Sequence, residues 1–312
     1  MAIPYFDAHC DTISRISRKD GRHLNEETGQ WKLDALSECS PSAQFFAVYY
    51  DSDLPHMAEQ VAAQFAAFRR ECDLYSNRVT HCRSGKEIEQ AAKQHKLAAL
   101  LSVEGAELLN CDLQQLDWAY AEGVRAVNLT WNHANLLSGS HTEEPERGLS
   151  EQGIRFVNRM NALGMIVDVS HLSDAGFWDV MEHTTKPIMA SHSNSRSQFF
   201  HTRNLTDRQF NAIINNHGIV GLNCYSAFLG AEPVTMDTLR RHLDHFLDLG
   251  GEHTVALGGD WDGCSDLPEG FSGAWSWLDF YEYLLKHNYP EDLLRDLCFN
   301  NLMRTVSEVC TT

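Results

Sequence analysis

The feature that most constrains this chain is the regular alternation of short apolar, β-branched runs with longer segments of helical spacing. Such alternation marks a parallel α/β fold, in which a crossover helix follows each strand. Eight strands are predicted: Ile3–His9, Gln44–Tyr50, Leu97–Val103, Val124–Thr130, Met165–Ser170, Pro187–Ser191, Gly218–Cys224 and Thr254–Gly259. Helices are predicted between them, among them Met57–Cys72, Gly85–His95, Gln152–Leu163 and Met236–Leu249, with a closing helix at Glu291–Val309. Eight strands with crossover helices point to a closed (β/α)8 TIM barrel before an open doubly wound sheet. With 312 residues and no linker, repeat or low-complexity tract, residues 1–312 read as a single barrel domain. The turn-rich stretches Asn135–Leu149 and Asp262–Ala274 follow the fourth and eighth strands, where a barrel keeps its active-site loops.

The partner classes are bounded by charge. A formal net charge of -18 argues against nucleic acid or an anionic membrane surface, since both select basic proteins. No signal peptide is expected from the opening residues, and no apolar run approaches the roughly 20 residues of a membrane span. The 9 cysteines are scattered and lack Cys-x-x-Cys pairs, so reduced thiols and a cytoplasmic location are expected.

Sixteen histidines are too many to interpret singly, and position must discriminate among them. The first predicted strand ends in Asp7-Ala8-His9-Cys10-Asp11 and the third runs into Glu104. The fifth ends beside His171, the sixth beside His192, and the eighth at Asp260. Five strands thus deliver a histidine or carboxylate to their C-terminal ends, the catalytic face of barrel enzymes. His9 and Asp11, two residues apart on an extended chain, project to one side and can share a divalent ion. His171 and His192 end consecutive strands and can share a second, with Glu104 bridging the two through its carboxylate oxygens. Such mixed ligation suits zinc, with manganese, cobalt or iron as other possible occupants.

The ordered set His9-x-Asp11, Glu104-Gly105, Asp168-x-x-His171, Ser191-His192-Ser193, Arg203-Asn204 and Gly258-Gly259-Asp260-x-Asp262-Gly263 resembles the membrane (renal) dipeptidase family, peptidase family M19. The similarity runs from near residue 3 to about residue 270. The resemblance implies a zinc-dependent dipeptidase with two Zn2+ ions, hydrolysing dipeptides and often accepting a D-residue at the C-terminal position, by attack of a metal-bridging hydroxide. It assigns Arg203 to the substrate carboxylate and Asp260 to proton transfer, with Asp262 as the rival two residues on. A homodimer would be in keeping with the family.

One motif departs from the pattern: where the mammalian enzymes have Leu-Thr-His, this chain has Leu129-Thr130-Trp131-Asn132-His133. The family's substrate-carbonyl histidine aligns with Trp131, and His133 is the substitute, reaching from the loop, unless it is a loop histidine only. Two other readings stand beside the dipeptidase. One is another amidohydrolase-type barrel, such as a lactonase, deaminase or cyclic amidase. These usually open with His-x-His, and many bridge their metals with a carboxylated lysine, which Val124–Thr130 lacks. The other is a catalytically silent homologue, which would be expected to have lost ligands.

Overall fold

The computed structural model describes residues 2–18, 23–25 and 28–311. Its strands are β1 Tyr5–Cys10, β2 Ser42–Tyr49, β3 Val79–His81, β4 Leu97–Glu104, β5 Val124–Asn128, β6 Ile166–Asp168, β7 Met189–Ala190, β8 Ile219–Leu222 and β9 Val255–Leu257. All pairings are parallel, in the order β2-β1-β9-β8-β7-β6-β5-β4, and β4 returns to β2 through a seven-residue ladder, Ala43↔Ala98 to Tyr49↔Glu104. The ring is closed, a (β/α)8 barrel. The short β3 lies outside the eight, along the start of β4. It escaped the sequence reading because Val79-Thr80-His81 carries a single apolar residue.

Register explains the core. Phe6, Phe45, Leu100, Ile166, Met189 and Ile219 fall on one face of successive strands and pack in a single cluster. Phe299, Leu302 and Val306, from the segment after Glu291, pack against that cluster. That segment is the expected closing helix, with a π-helical stretch at Asp296–Asn300 between α-helical Glu291–Arg295 and Asn301–Val309. A second, larger set of apolar residues lies between the strands and the surrounding helices.

At the top of the barrel the ladder stops early. The predicted Pro187–Ser191 shortens to Met189–Ala190, and Met165–Ser170 to Ile166–Asp168. Two buried aspartates take over the backbone donors there. Asp168 Oδ1 accepts from the amides of Ser170 (3.0 Å) and Ser191 (3.1 Å). Asp7 accepts from the amides of His9 (2.9 Å) and Gly259 (3.0 Å) and from the indoles of Trp261 (2.9 Å) and Trp277 (2.8 Å). That carboxylate clasps the first strand to the segment following the last, where β1 and β9 share a single registered pair, Asp7↔Leu257. Charge-assisted bonds of this kind are about twice as strong as neutral ones. Among the described residues no helix is long and apolar enough to cross a membrane.

Candidate active site

Several of the ligand-type residues sit at local irregularities of the backbone. The register of β1 against β2 shifts between Asp7 and Cys10, a bulge-type irregularity that turns His9 toward the barrel mouth. Asp11 follows immediately, its amide bonded to the carbonyl of Trp261 across the seam (2.8 Å). Glu104 is the last residue of β4, and Gly105 turns the chain sharply at φ +102, where an added Cβ would meet Glu107 Oε1 at 2.5 Å. His171 and Asp260 hold left-handed backbone, φ +72 and +60, unusual for non-glycine residues and a form of strain concentrated at functional sites.

These side chains converge. His9 Nε2 lies 3.3 Å from Asp11 Oδ2, 3.5 Å from Glu104 Oε2 and 4.0 Å from Asp260 Oδ1. On the other side, Glu104 Oε1 lies 3.0 Å from His171 Nε2 and 3.5 Å from His192 Nε2. The two Nε2 atoms are 3.0 Å apart. His171 Nδ1 is 2.9 Å from Asn132 Oδ1, an acceptor, so its proton is there and its Nε2 presents a lone pair. His192 Nδ1 is bonded to the Ser191 hydroxyl at 2.7 Å. Buried Asp11 Oδ1 has no hydrogen-bond partner among the described residues. Lone pairs and carboxylates turned on one another in this way fit a divalent cation, and His/carboxylate donors are the chemistry such ions take.

The electrostatics of the His171–His192 pair agree. Burial, reinforced by Arg203, holds His171 well below the usual imidazole range. Burial, reinforced by His9 and Arg203, does the same to His192, so both are neutral, as metal ligation requires. For His9, burial opposes protonation, but the Glu104 and Asp11 carboxylates outweigh it and raise its pKa. Asp260 is pushed up to about 7: burial raises it, His9 opposes, and Asp11 and Glu104 add to the rise.

A cavity of about 260 Å³ opens over these groups, walled by Asp11, Glu104, His171 and Asp260 and by Tyr49, Trp131, Tyr225 and Phe228. Asn132 and His141 also face it. Volumes of about 300–1,000 Å³ are usual for drug-sized ligands, so this one suits a small substrate. Asp262 points elsewhere: its carboxylate binds Thr12 Oγ1 (2.7 Å), the Gln30 amide (2.8 Å) and Arg15 Nε (3.1 Å). Arg203 is buried just behind the wall, with Nη2 donating to the His192 carbonyl at 3.0 Å and its guanidinium carbon 5.5 Å from the Phe228 ring centre. Its Nε has no hydrogen-bond partner among the described residues.

His133 is not brought to the cavity wall. It is held at the rim by Glu143 (3.0 Å), Asp51 (3.4 Å) and Asp53 (3.6 Å). Acidic residues from two loops hold it there, and its sequence position gave no sign of them. The loop histidine that does face the cavity, beside the ligand-type His171, is His141, from the turn-rich stretch after the fourth predicted strand, where no spacing distinguishes it. Asn223, at the end of the eighth strand, donates from Nδ2 to Asp260 Oδ2 at 3.1 Å and fixes that carboxylate.

Fold and site together define a metal-dependent barrel hydrolase. The chain belongs to the membrane dipeptidase family (peptidase family M19), whose description matches residues 1–312. An uncharacterized protein from the pqqA 5′ region of Klebsiella pneumoniae is 34% identical over 245 residues, covering 75% of this chain and 90% of that protein. Among solved structures, the dipeptidase AC of family M19 superposes with a TM-score of 0.92 at 28% identity, covering 100% of both chains. A metallo peptidase from Rhodobacter sphaeroides, liganded with a phosphinate mimic of the dipeptide L-Ala-D-Ala, gives a TM-score of 0.91 at 27% identity, covering 99% of this chain and 100% of that one.

Proposed function

We propose that this protein is a binuclear, zinc-dependent dipeptidase that hydrolyses dipeptides, L-Xaa-D-Xaa among them. The observation that carries the reading is the division of Glu104: Oε2 faces His9 and Oε1 faces His171 and His192. One carboxylate between two donor sets is what a bridging ligand needs. His9 and Asp11 would hold one ion, His171 and His192 the other, and Glu104 both. When bound, two such ions lower the pKa of a shared water toward neutrality and polarise the scissile carbonyl.

The remaining work falls to this chain's own residues. Asp260, with its pKa near 7 and Asn223 steadying its second oxygen, accepts the proton of the attacking water and returns it to the leaving amine. Arg203, burial having lowered its pKa to about 10, stays cationic at neutral pH and attracts the substrate's free carboxylate. The small cavity limits substrates to about two residues. The phosphinate dipeptide mimic bound by the Rhodobacter sphaeroides protein supports the same substrate class here. The 9 free thiols support a cytoplasmic location.

A panel of L-L and L-D dipeptides, assayed alongside metal content per chain, tests the reading. Turnover with two zinc ions per chain is expected. A fully metallated protein that cleaves no dipeptide would overturn it.

A further inference from the structure

We propose that the side-chain amide of Asn132 is a catalytic hydrogen-bond donor, its Nδ2 meeting the scissile carbonyl oxygen as that oxygen gains charge. The proposal rests on the dipeptidase reading above. Asn132 faces the cavity together with Glu104, His171 and Asp260. Its Oδ1 receives two imidazoles, His171 Nδ1 at 2.9 Å and His141 Nε2 at 2.8 Å. Chemistry fixes the direction of the His171 bond, and the His141 bond runs the same way when Thr202 donates to that ring. His171 keeps Nε2 free toward Glu104 and His192, so Nδ1 carries its proton. His141 Nδ1 sits 2.9 Å from the Thr202 hydroxyl, which can donate to it, and the imidazole proton is then on Nε2.

Two N–H donors on one oxygen prevent the amide from turning over, since reversal would set NH2 against both of them. The backbone is fixed as well, the Asn132 carbonyl accepting from Ser140 Oγ at 2.5 Å and from Thr142 Oγ1. Among the described residues Nδ2 makes no hydrogen bond. A donor immobilised on every side but one, at the wall of a catalytic cavity, is the arrangement that stabilises an oxyanion without reorganisation. As the water oxygen bonds to the carbonyl carbon, the carbonyl π pair moves onto oxygen, where Asn132 meets it. The pair returns as the C–N bond breaks and the nitrogen takes the proton held by Asp260.

Trp131, the neighbouring residue, is the competing donor. Its ring packs on Tyr49 at 5.0 Å and stands 6.3 Å from the His171 ring, whereas Asn132 bonds His171 directly.

The test compares Asn132→Asp, which keeps an oxygen for both imidazoles and deletes the NH2, with Asn132→Ala and Trp131→Phe. Both Asn132 variants should lower kcat by about 10²–10³, the usual cost of losing one oxyanion donor, with KM within a few-fold of wild type. Binding of a phosphinate dipeptide mimic should weaken by a similar factor while metal content stays at the wild-type value. Trp131→Phe, a change in the cavity wall, should cost at least tenfold less in kcat than Asn132→Asp. The proposal is overturned if Asn132→Asp retains wild-type kcat, if the lost rate follows lost metal and returns on metal addition, or if Trp131→Phe suffers the loss instead. Wild-type protein that turns over no dipeptide overturns the dipeptidase reading itself, and this proposal with it.

Discussion

His171 Nε2 and His192 Nε2 lie 3.0 Å apart, with Glu104 Oε1 3.0 Å from the first and 3.5 Å from the second. Two neutral imidazoles that close hold together best around a cation. Glu104→Ala should therefore weaken metal binding at both proposed positions, and His192→Ala at one. Metal content after exhaustive dialysis reads the difference, and a Glu104→Ala protein that keeps the wild-type content would remove the bridge.

Asp260 is the acidic group on the cavity wall whose pKa stands near 7, while Asp262 is fully engaged by Thr12, Gln30 and Arg15. Asp260→Asn should lower kcat by about 10²–10⁴, the range of general acid–base catalysis, with bound metal unchanged. Wild-type turnover in that variant would take the proton role away from Asp260.

Arg203→Ala should raise KM for free dipeptides at least tenfold, in line with about 1.5–3 kcal/mol for a hydrogen bond to a charged group. C-terminally amidated dipeptides, already poor substrates, should lose little further. Equal losses on the two series would show that Arg203 acts through packing against His192 and not through the carboxylate.

His242, outside the ligand cluster, should make stability depend on pH. Its Nδ1 accepts from the Ser195 amide and its Nε2 donates to the Leu229 carbonyl, and burial lowers its pKa to about 4 against a Leu229 bond that raises it. A depressed pKa means the unfolded chain binds the proton more readily. Its stabilisation is complete above the ordinary value of about 6.5 and drains away as pH falls toward 4, up to about 3 kcal/mol in all. Urea titrations of metal-free protein at pH 7.5, 6 and 5 should show the decline, and His242→Gln should flatten it. An unchanged slope in the variant would assign the pH dependence to other groups.

Gly258 leaves no room for a side chain: a Cβ would stand 1.9 Å from the Ser191 carbonyl oxygen. That carbonyl immediately precedes His192, so crowding there strikes both fold and site. Gly258→Ala should cost about 3 kcal/mol or more by denaturant midpoint and reduce metal content together with activity. A protein of wild-type stability would mean that the backbone yields more easily than its packing implies.

Much of this could be read in the chain itself. The eight barrel strands announce themselves because each is a short apolar run buried on both faces, and His9, Asp11, Glu104, His171, His192 and Asp260 are visible because they sit where those runs end. Loops hide what the strands reveal. Asn132 and His141 meet His171 through the path of a long excursion after β5, and no periodicity encodes that path. His133 occupies the rim for the same reason, its three acidic partners coming from segments 80 residues or more earlier and 10 residues later. Asp7 reads as one more strand-end carboxylate, yet register turns it away from the ligand cluster toward two tryptophans.

That clasp sets the order in which the enzyme can be made. Asp7 and Trp277 are 270 positions apart, so at about 5–20 residues per second the ribosome needs roughly 15–50 s to supply the second partner after the first. For most of that interval His9 and Asp11 exist without Asp260 and without the Gly259–Trp261 segment that Asp7 and Asp11 bind. The complete site can therefore assemble only once nearly the whole chain has been made, and a chain cut short before Trp277 would keep every proposed ligand while losing part of the fastening that gathers them.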